Sequence, residues 1–567
     1  LLSIGVAACE RPASPDPSPE PESEATASAS DPAMVVAPAA ESESWFVDET
    51  TARGIDFVHD SGARGRYRLP ESFGAGCALF DADGDGDLDA YLVSGHDLDA
   101  DPDPATARNR FFRNDGAGRF RENTATSGLG DVGYGYGVAV GDVDQDGDLD
   151  LYLANLGPDR LFLNEGDGTF VPAADERFAN EDSFSVAPCF LDYDRDGDLD
   201  LFIARYMDWS PDVEVECRNA QGGLDYCSPE VYGRGISDRL LRNDGRGRFT
   251  DVSDLAGVSG DRGNGLAVGS ADLDGDGWPD IFVANDKTPD QLWINQHDGT
   301  FREEAVIRGC SAGLDGSPRA GMSVAFADLD RDGDLEIHVS NIQGEPDSLF
   351  QNNHGRFFDR AAGWGIAAPS RARTRWSAVF RDFDVDGRPE LLVGCGRVMR
   401  PATLELSEDA YAEEDLFYTF GENGRFSTVD DAWPSGLVPE ATHGIATGDV
   451  DGDGFDDLLT VSRNGPARLL IRRPPPETPA PIRFDLRTPA GTPAIGATLR
   501  ILREDSTSRP EIHPIQTTVG YASTSSHVVP VRPPVASVQI DWADGTSSTH
   551  LGPFEAGRPV ILDPAAN

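Results

Sequence analysis

The chain has 567 residues, 99 Asp and Glu against 47 Lys and Arg, a formal net charge of −52 and only 39% hydrophobic residues. That composition excludes a polytopic membrane protein, and the charge repels phosphate, so nucleic acid is a poor partner and cations are the natural ones. Nearly all the positive charge is Arg, with Lys287 the single lysine.

Residues 1–9 form a short apolar run, and Val6-Ala7-Ala8-Cys9 is similar to the lipobox of bacterial lipoproteins, in which cleavage precedes a cysteine that becomes lipidated. Residues 10–44 are almost wholly Pro, Ser, Glu, Ala, Asp and Thr, which cannot bury enough apolar area to offset chain entropy, so a disordered acidic tether is expected. Together they predict an exported protein on the bacterial cell envelope or surface, touching the membrane only through a lipid on Cys9. Of the other cysteines, Cys217 and Cys227 flank a short polar loop and are expected to pair, forming a stapled loop that projects from its blade. Cys77, Cys189, Cys310 and Cys395 lie in apolar strand-like contexts where a bridge and a buried thiol fit equally.

An internal repeat dominates the middle of the chain. A nine-residue acidic phrase begins at Asp81 and recurs at Asp142, Asp192, Asp272, Asp328, Asp382 and Asp449, seven copies in all. Positions 1, 3, 5 and 9 carry carboxylates and position 6 is Gly, the oxygen cage and tight turn that a hard divalent cation needs. Position 7 should contribute its backbone carbonyl, leaving its side chain free to vary. The predicted ligand sets are Asp81, Asp83, Asp85, Asp87 and Asp89; Asp142, Asp144, Asp146, Asp148 and Asp150; Asp192, Asp194, Asp196, Asp198 and Asp200; Asp272, Asp274, Asp276, Trp278 and Asp280; Asp328, Asp330, Asp332, Asp334 and Glu336; Asp382, Asp384, Asp386, Arg388 and Glu390; and Asp449, Asp451, Asp453, Phe455 and Asp457. Without a cation such clusters repel themselves, and all-oxygen ligands select calcium over zinc, copper or iron, so up to seven structural Ca2+ ions are expected.

Each phrase is preceded by a small-residue strand such as 137–141 and followed by an apolar one such as 151–154, with a third strand and a Gly-rich turn after that in most copies. A fourth strand has its own phrase, Phe with Gly eight residues on, as in Phe120 and Gly128. The last repeat lacks this phrase, and a copy of it stands near the N-terminus at Phe46 and Gly54. An N-terminal strand that completes the last repeat closes a ring and removes its exposed edges. The reading is all-β: a seven-bladed calcium-binding β-propeller over residues 45–472, a Pro-rich linker over 473–481 and a small all-β domain over 482–565.

The acidic phrases resemble the FG-GAP/VCBS repeats of integrin-α-like propellers. Residues 494–497, 520–523 and 540–545 resemble the ASPIC/UnbV domain, and the pairing on one chain resembles bacterial relatives of the cartilage acidic protein family. In integrin-type propellers the ion loops lie on one face, which implies that residues just before each inner strand ring the opposite mouth. Here these include Phe73, Tyr134, Tyr136, Phe184, Asn264, Arg319, Arg373, Arg375, Trp376 and His443. Seven of them, Tyr134, Tyr136, Arg319, Arg373, Arg375, Trp376 and His443, are candidates to bind an acidic sugar or a peptide carboxylate, against the alternative that they simply fill the channel. The function expected is non-catalytic binding or adhesion to an extracellular protein or glycan. The alternative is a polysaccharide lyase or hydrolase, for which His443 with Arg373 or Arg375 is the constellation the sequence offers.

Overall fold

The computed structural model describes residues 44–103, 107–173, 183–401, 409–503 and 509–564. Cys9 and the tether through residue 43 lie outside them. The described residues form seven four-stranded antiparallel meanders, here blades 1 to 7. Their innermost strands are Cys77–Phe80, Tyr134–Gly141, Ser183–Leu191, Gly265–Ala271, Ser323–Ala327, Arg375–Arg381 and Thr442–Gly448, and each touches the next until the seventh meets the first. The array is therefore a closed β-propeller.

The small residues of the inner strands follow from crowding at the axis: a Cβ on Gly137 would stand 2.1 Å from the Val186 carbonyl oxygen of blade 3. Second strands lie between two blades and bury both faces, which explains continuous apolar runs in place of alternation. Asp150–Gly157, for example, carries Leu151 to Ala154 fully buried. Where blades 1 and 2 meet, Tyr91, Phe111, Val138 and Leu153 make one core cluster, and comparable clusters fill the other junctions. Phe46–Asp48 forms the outer strand of blade 7, with Phe46 opposite Arg472 and Asp48 opposite Leu470. The Phe and Gly phrase marks a three-residue strand followed by one helical turn. Gly128, at φ 82°, ends that turn, and a Cβ there would meet the Phe170 carbonyl oxygen of the next blade at 2.1 Å. Gly54 makes the same approach to Phe120, so the phrase also couples neighbours around the ring.

Beyond residue 481 two small sheets, one of Val529–Val531, Ile482–Leu486 and Pro559–Leu562 and one of Glu511–Pro514, Thr498–Leu502, Ser537–Asp541 and Ser547–Leu551, pack around Phe484, Leu499, Val538 and Ile540. The linker does not separate two bodies: residues 44–567 are one compact unit. The reason is a hairpin, Thr518–Val519 with Ser523–Thr524, that leaves the second sheet pair and enters the propeller channel from the face bearing the acidic loops. Inner strands expose unpaired backbone groups to the channel, and this Ser- and Thr-rich hairpin satisfies them. Thr524 bridges Ala78 and donates to the Val138 carbonyl at 2.9 Å, Thr518 donates to Pro188 at 3.3 Å, and Gln516 to Ser270. Gly520 bridges Val324, the Tyr521 N–H donates to Ser377 Oγ at 3.2 Å, and Thr447 exchanges bonds with Ser525 and Ser526 at 2.9 Å. All seven blades are thus engaged.

Candidate metal centres and the closed mouth

In all seven loops the position-1 carboxylate accepts the N–H of the position-6 glycine, from 2.8 Å at Asp382 and Gly387 to 3.3 Å at Asp142 and Gly147. The position-5 carboxylate accepts the position-7 N–H throughout, as from Trp278 to Asp276 at 2.9 Å. These bonds wind the loop so that three carboxylates converge: Asp81, Asp83 and Asp85, like Asp142, Asp144 and Asp146, bring oxygens within 4.8 Å of one another. Nine buried carboxylate oxygens at positions 1 and 3 of these loops, on Asp81, Asp83, Asp142, Asp144, Asp192, Asp194, Asp274, Asp330 and Asp451, have no hydrogen-bond partner among the described residues. Buried, anionic and unpaired oxygens at that spacing are the donor set of a hard cation, so the residues fit one.

Position 9 has a second duty. Asp200 accepts the Tyr193 N–H at 3.3 Å with one oxygen and the Asn243 N–H at 2.8 Å with the other. It joins Asp192 and Asp194 in the third loop's cluster, whereas the clusters of the first, second, fourth and fifth loops gather positions 1, 3 and 5. Burial, with repulsion from the other loop carboxylates, pushes Asp89 up to about 7, Asp150 to about 8, and Asp200 and Glu336 to about 9. Asp280, Glu390 and Asp457 are raised for the same reasons. The position-7 side chains share no role: Trp278 stacks on His297 at 4.8 Å, and Phe455 is buried.

The sequence reading missed a second repeated phrase, in the third strands. Asp159, Asp238, Asp290 and Asp347 each accept a backbone N–H at or near the end of the second strand, at 2.7 to 3.0 Å, as does Asp415 for Cys395. Five residues after the first four come Asn164, Asn243, Asn295 and Asn352, and each donates its side-chain amide to position 2 of the preceding blade's acidic loop at 2.7 to 2.9 Å. Asn114 does the same from blade 1 to Val450, and in blade 7 the Arg472 Nε replaces it on Phe383 at 2.9 Å. The signal was present as Asp or Asn with Asn five residues on.

The opposite mouth differs from expectation. Tyr134, Tyr136, Phe184, Trp376 and His443 are buried, packed around Phe73 and Tyr521 into one aromatic core. His443 stacks on Trp376 at 4.0 Å and accepts the Gly74 N–H at 2.8 Å, and burial holds its pKa well below the ordinary histidine range. Arg375 is fully buried against Asp347 at 2.6 Å, Arg319 donates to the Pro346 carbonyl at 3.0 Å, and Arg373 alone reaches outward, to Glu414 at 2.8 Å. These residues do not ring an open funnel. The hairpin fills the channel from one end and residues 69–73 from the other, so the rings lose their access to solvent. His443 and the two arginines form no cleft in which a base and an electrophile converge.

Cys217 and Cys227 are joined, with Cα atoms 5.3 Å apart, while Cys77, Cys189, Cys310 and Cys395 are free and buried. The stapled loop does not project as expected. It lies across the face and docks on blade 6: the Arg400 N–H donates to Asp225 at 3.0 Å, and Tyr226 and Tyr411 pack with ring centres 5.8 Å apart. Burial of the Tyr226 ring stabilises that docking, and the bonds from Arg400 offset the cost of burying the Asp225 carboxylate.

The FG-GAP-like repeat profile matches residues 81–153, 142–203, 222–283 and 272–339. Human cartilage acidic protein 1 is 30% identical over 249 residues, covering 41% of this chain and 34% of that protein. The mouse protein is 28% identical over 348 residues, covering 56% and 49%. The chain thus spans about a third to a half of the length of these relatives. Among solved structures, a lectin from Burkholderia pseudomallei aligns at a TM-score of 0.41 with 12% identity, over 70% of this chain and 96% of that one. A rhamnogalacturonan lyase aligns at 0.38 with 14% identity, over 71% and 72%. The chain thus carries FG-GAP-like repeats over residues 81–203 and 222–339 and is similar over part of its length to cartilage acidic protein 1.

Proposed function

We propose that the chain is a calcium-loaded, non-catalytic binding protein, exported and lipid-anchored through Cys9, that recognises an extracellular protein or glycan. The observation that carries the calcium reading is the set of buried, unpartnered carboxylate oxygens repeated from loop to loop. Burying such oxygens without a cation costs several kcal/mol per charge, and a bound Ca2+ supplies the missing partner. Asp81, Asp83 and Asp85 and their equivalents would hold it, with position 9 fixing the loop from behind. The non-catalytic reading draws support from His443, whose stacked and buried ring offers no proton to a substrate. The C-terminal module, read as an ASPIC/UnbV domain, acts as the pin of the ring. Metal analysis of dialysed protein, with a glycan and protein array probed with and without calcium, tests this reading. Calcium in multiple equivalents and calcium-dependent capture are expected; metal-free folded protein, or turnover of a captured polysaccharide, contradicts it.

A further inference from the structure

A cavity of about 540 Å3 opens between the return of the blade 3 insertion and the edge of blade 4. That volume suits a small ligand or a few sugar units. Its floor holds Asn264 and Asp286, 5% and 7% exposed. Asp286 accepts the Tyr206 hydroxyl at 2.7 Å, and the Asn264 carboxamide has no hydrogen-bond partner among the described residues. Lys287, the single lysine in the chain, stands on one wall in the left-handed region at φ 61°. Such a conformation is costly for a residue with a Cβ and persists where the surroundings impose it. Here the Lys287 N–H donates to the Arg319 carbonyl at 2.9 Å, and the ammonium pairs with Glu345, beyond the cavity lining, with further N–H donors left over. Arg262 lines the same wall, exposed, and pairs with nothing among the described residues.

We infer that this cavity binds an acidic saccharide, its carboxylate on Arg262 and Lys287 and its hydroxyls on Asn264, Asp286 and Glu230. A glycan suits it better than a peptide because the lining holds no aromatic or aliphatic side chain beyond Pro229, so an apolar peptide anchor would find no partner. A carboxylate on that saccharide is favoured because Arg262 is a guanidinium with no partner among the described residues, whereas Arg234 in the same lining is already paired with Asp208. The inference rests on the binding reading above and gives it an address.

A single lysine permits a direct test. Reductive 13C-methylation labels Lys287 and the terminal amine, and the Lys287→Arg protein assigns the two signals. The calcium-saturated protein is titrated with trigalacturonate and with neutral galactotriose. Saturable movement of the Lys287 signal by the acidic trimer alone is expected, with affinity falling at least about tenfold in Arg262→Ala, since a tenfold change corresponds to one charge-assisted bond of about 1.4 kcal/mol. Arg262 is exposed, so its replacement should leave melting and calcium content unchanged. No movement with trigalacturonate, equal movement with galactotriose, or an unaltered titration in Arg262→Ala overturns the proposal. Array capture with a silent Lys287 would sink this cavity and leave the binding reading standing; loss of both would sink both.

Discussion

On the loop-bearing face of the ring each blade presents the same nine residues in the same frame, down to the bond from the position-6 glycine to the position-1 carboxylate. On the opposite face the blades diverge: residues 69–73, ahead of blade 1, plug the channel, the stapled insertion of blade 3 crosses to blade 6, and a cavity opens beside blade 4. The repeated face holds the ring together, since each third-strand Asn ties its blade to the loop before it. The binding proposal assigns recognition to the face where the repeat is broken, as loops on a rigid scaffold are free to diverge.

Four substitutions or deletions sharpen that contrast. Deleting residues 45–57 should have the largest effect, because it removes Phe46, buried in the junction of blades 6 and 7, and leaves the outer edge of blade 7 unpaired. The loss should exceed the roughly 3–5 kcal/mol of a single buried aromatic, read by urea unfolding against a deletion of residues 10–40 that changes nothing. Tyr521→Ala, at the tip of the hairpin, should cost about 3–5 kcal/mol by emptying the space beside Trp376. A loss under about 1 kcal/mol would mean that the hairpin is decoration. Asn243→Ala takes the side-chain donor from the Leu199 carbonyl and leaves the Val143 carbonyl with the Gly247 N–H, and should cost about 1–3 kcal/mol in chemical unfolding. Arg373→Ala removes an ion pair with the exposed Glu414 and a weaker attraction to Glu413 and Asp415, and should change stability by less than about 1 kcal/mol. A large loss there would show that the opposite face carries more of the fold than its irregularity suggests.

The ring was legible because seven copies of one phrase fix a period, and because Phe46 and Gly54 supply the missing outer strand. The closed mouth was not, for two physical reasons. Arg375, Trp376 and His443 are residue types that serve equally in a binding funnel and in a packed core, and only tertiary contacts distinguish the two. The hairpin over 517–526 also reads locally as a polar loop, since its hydroxyls are matched to backbone groups some 80 to 390 positions away. The stapled insertion likewise gave its disulfide but not its landing place, because Asp225 meets Arg400 175 residues later.

The central claim, that the repeated loops hold cations, is tested most directly by the melting temperature between pH 6 and 9 in calcium and in EGTA. Without a cation the position-9 carboxylates ionise in the fold only near 7 to 9, whereas in the unfolded chain they ionise near 4. The folded state therefore binds more protons across that window, and metal-free stability falls as pH rises. Calcium holds the loops ionised, as they are in the unfolded chain at these pH values, and so removes that slope. The account predicts that calcium raises the melting temperature at pH 8 and that the gap over EGTA widens with pH. Coincident curves, or a gap that narrows as pH rises, would contradict it.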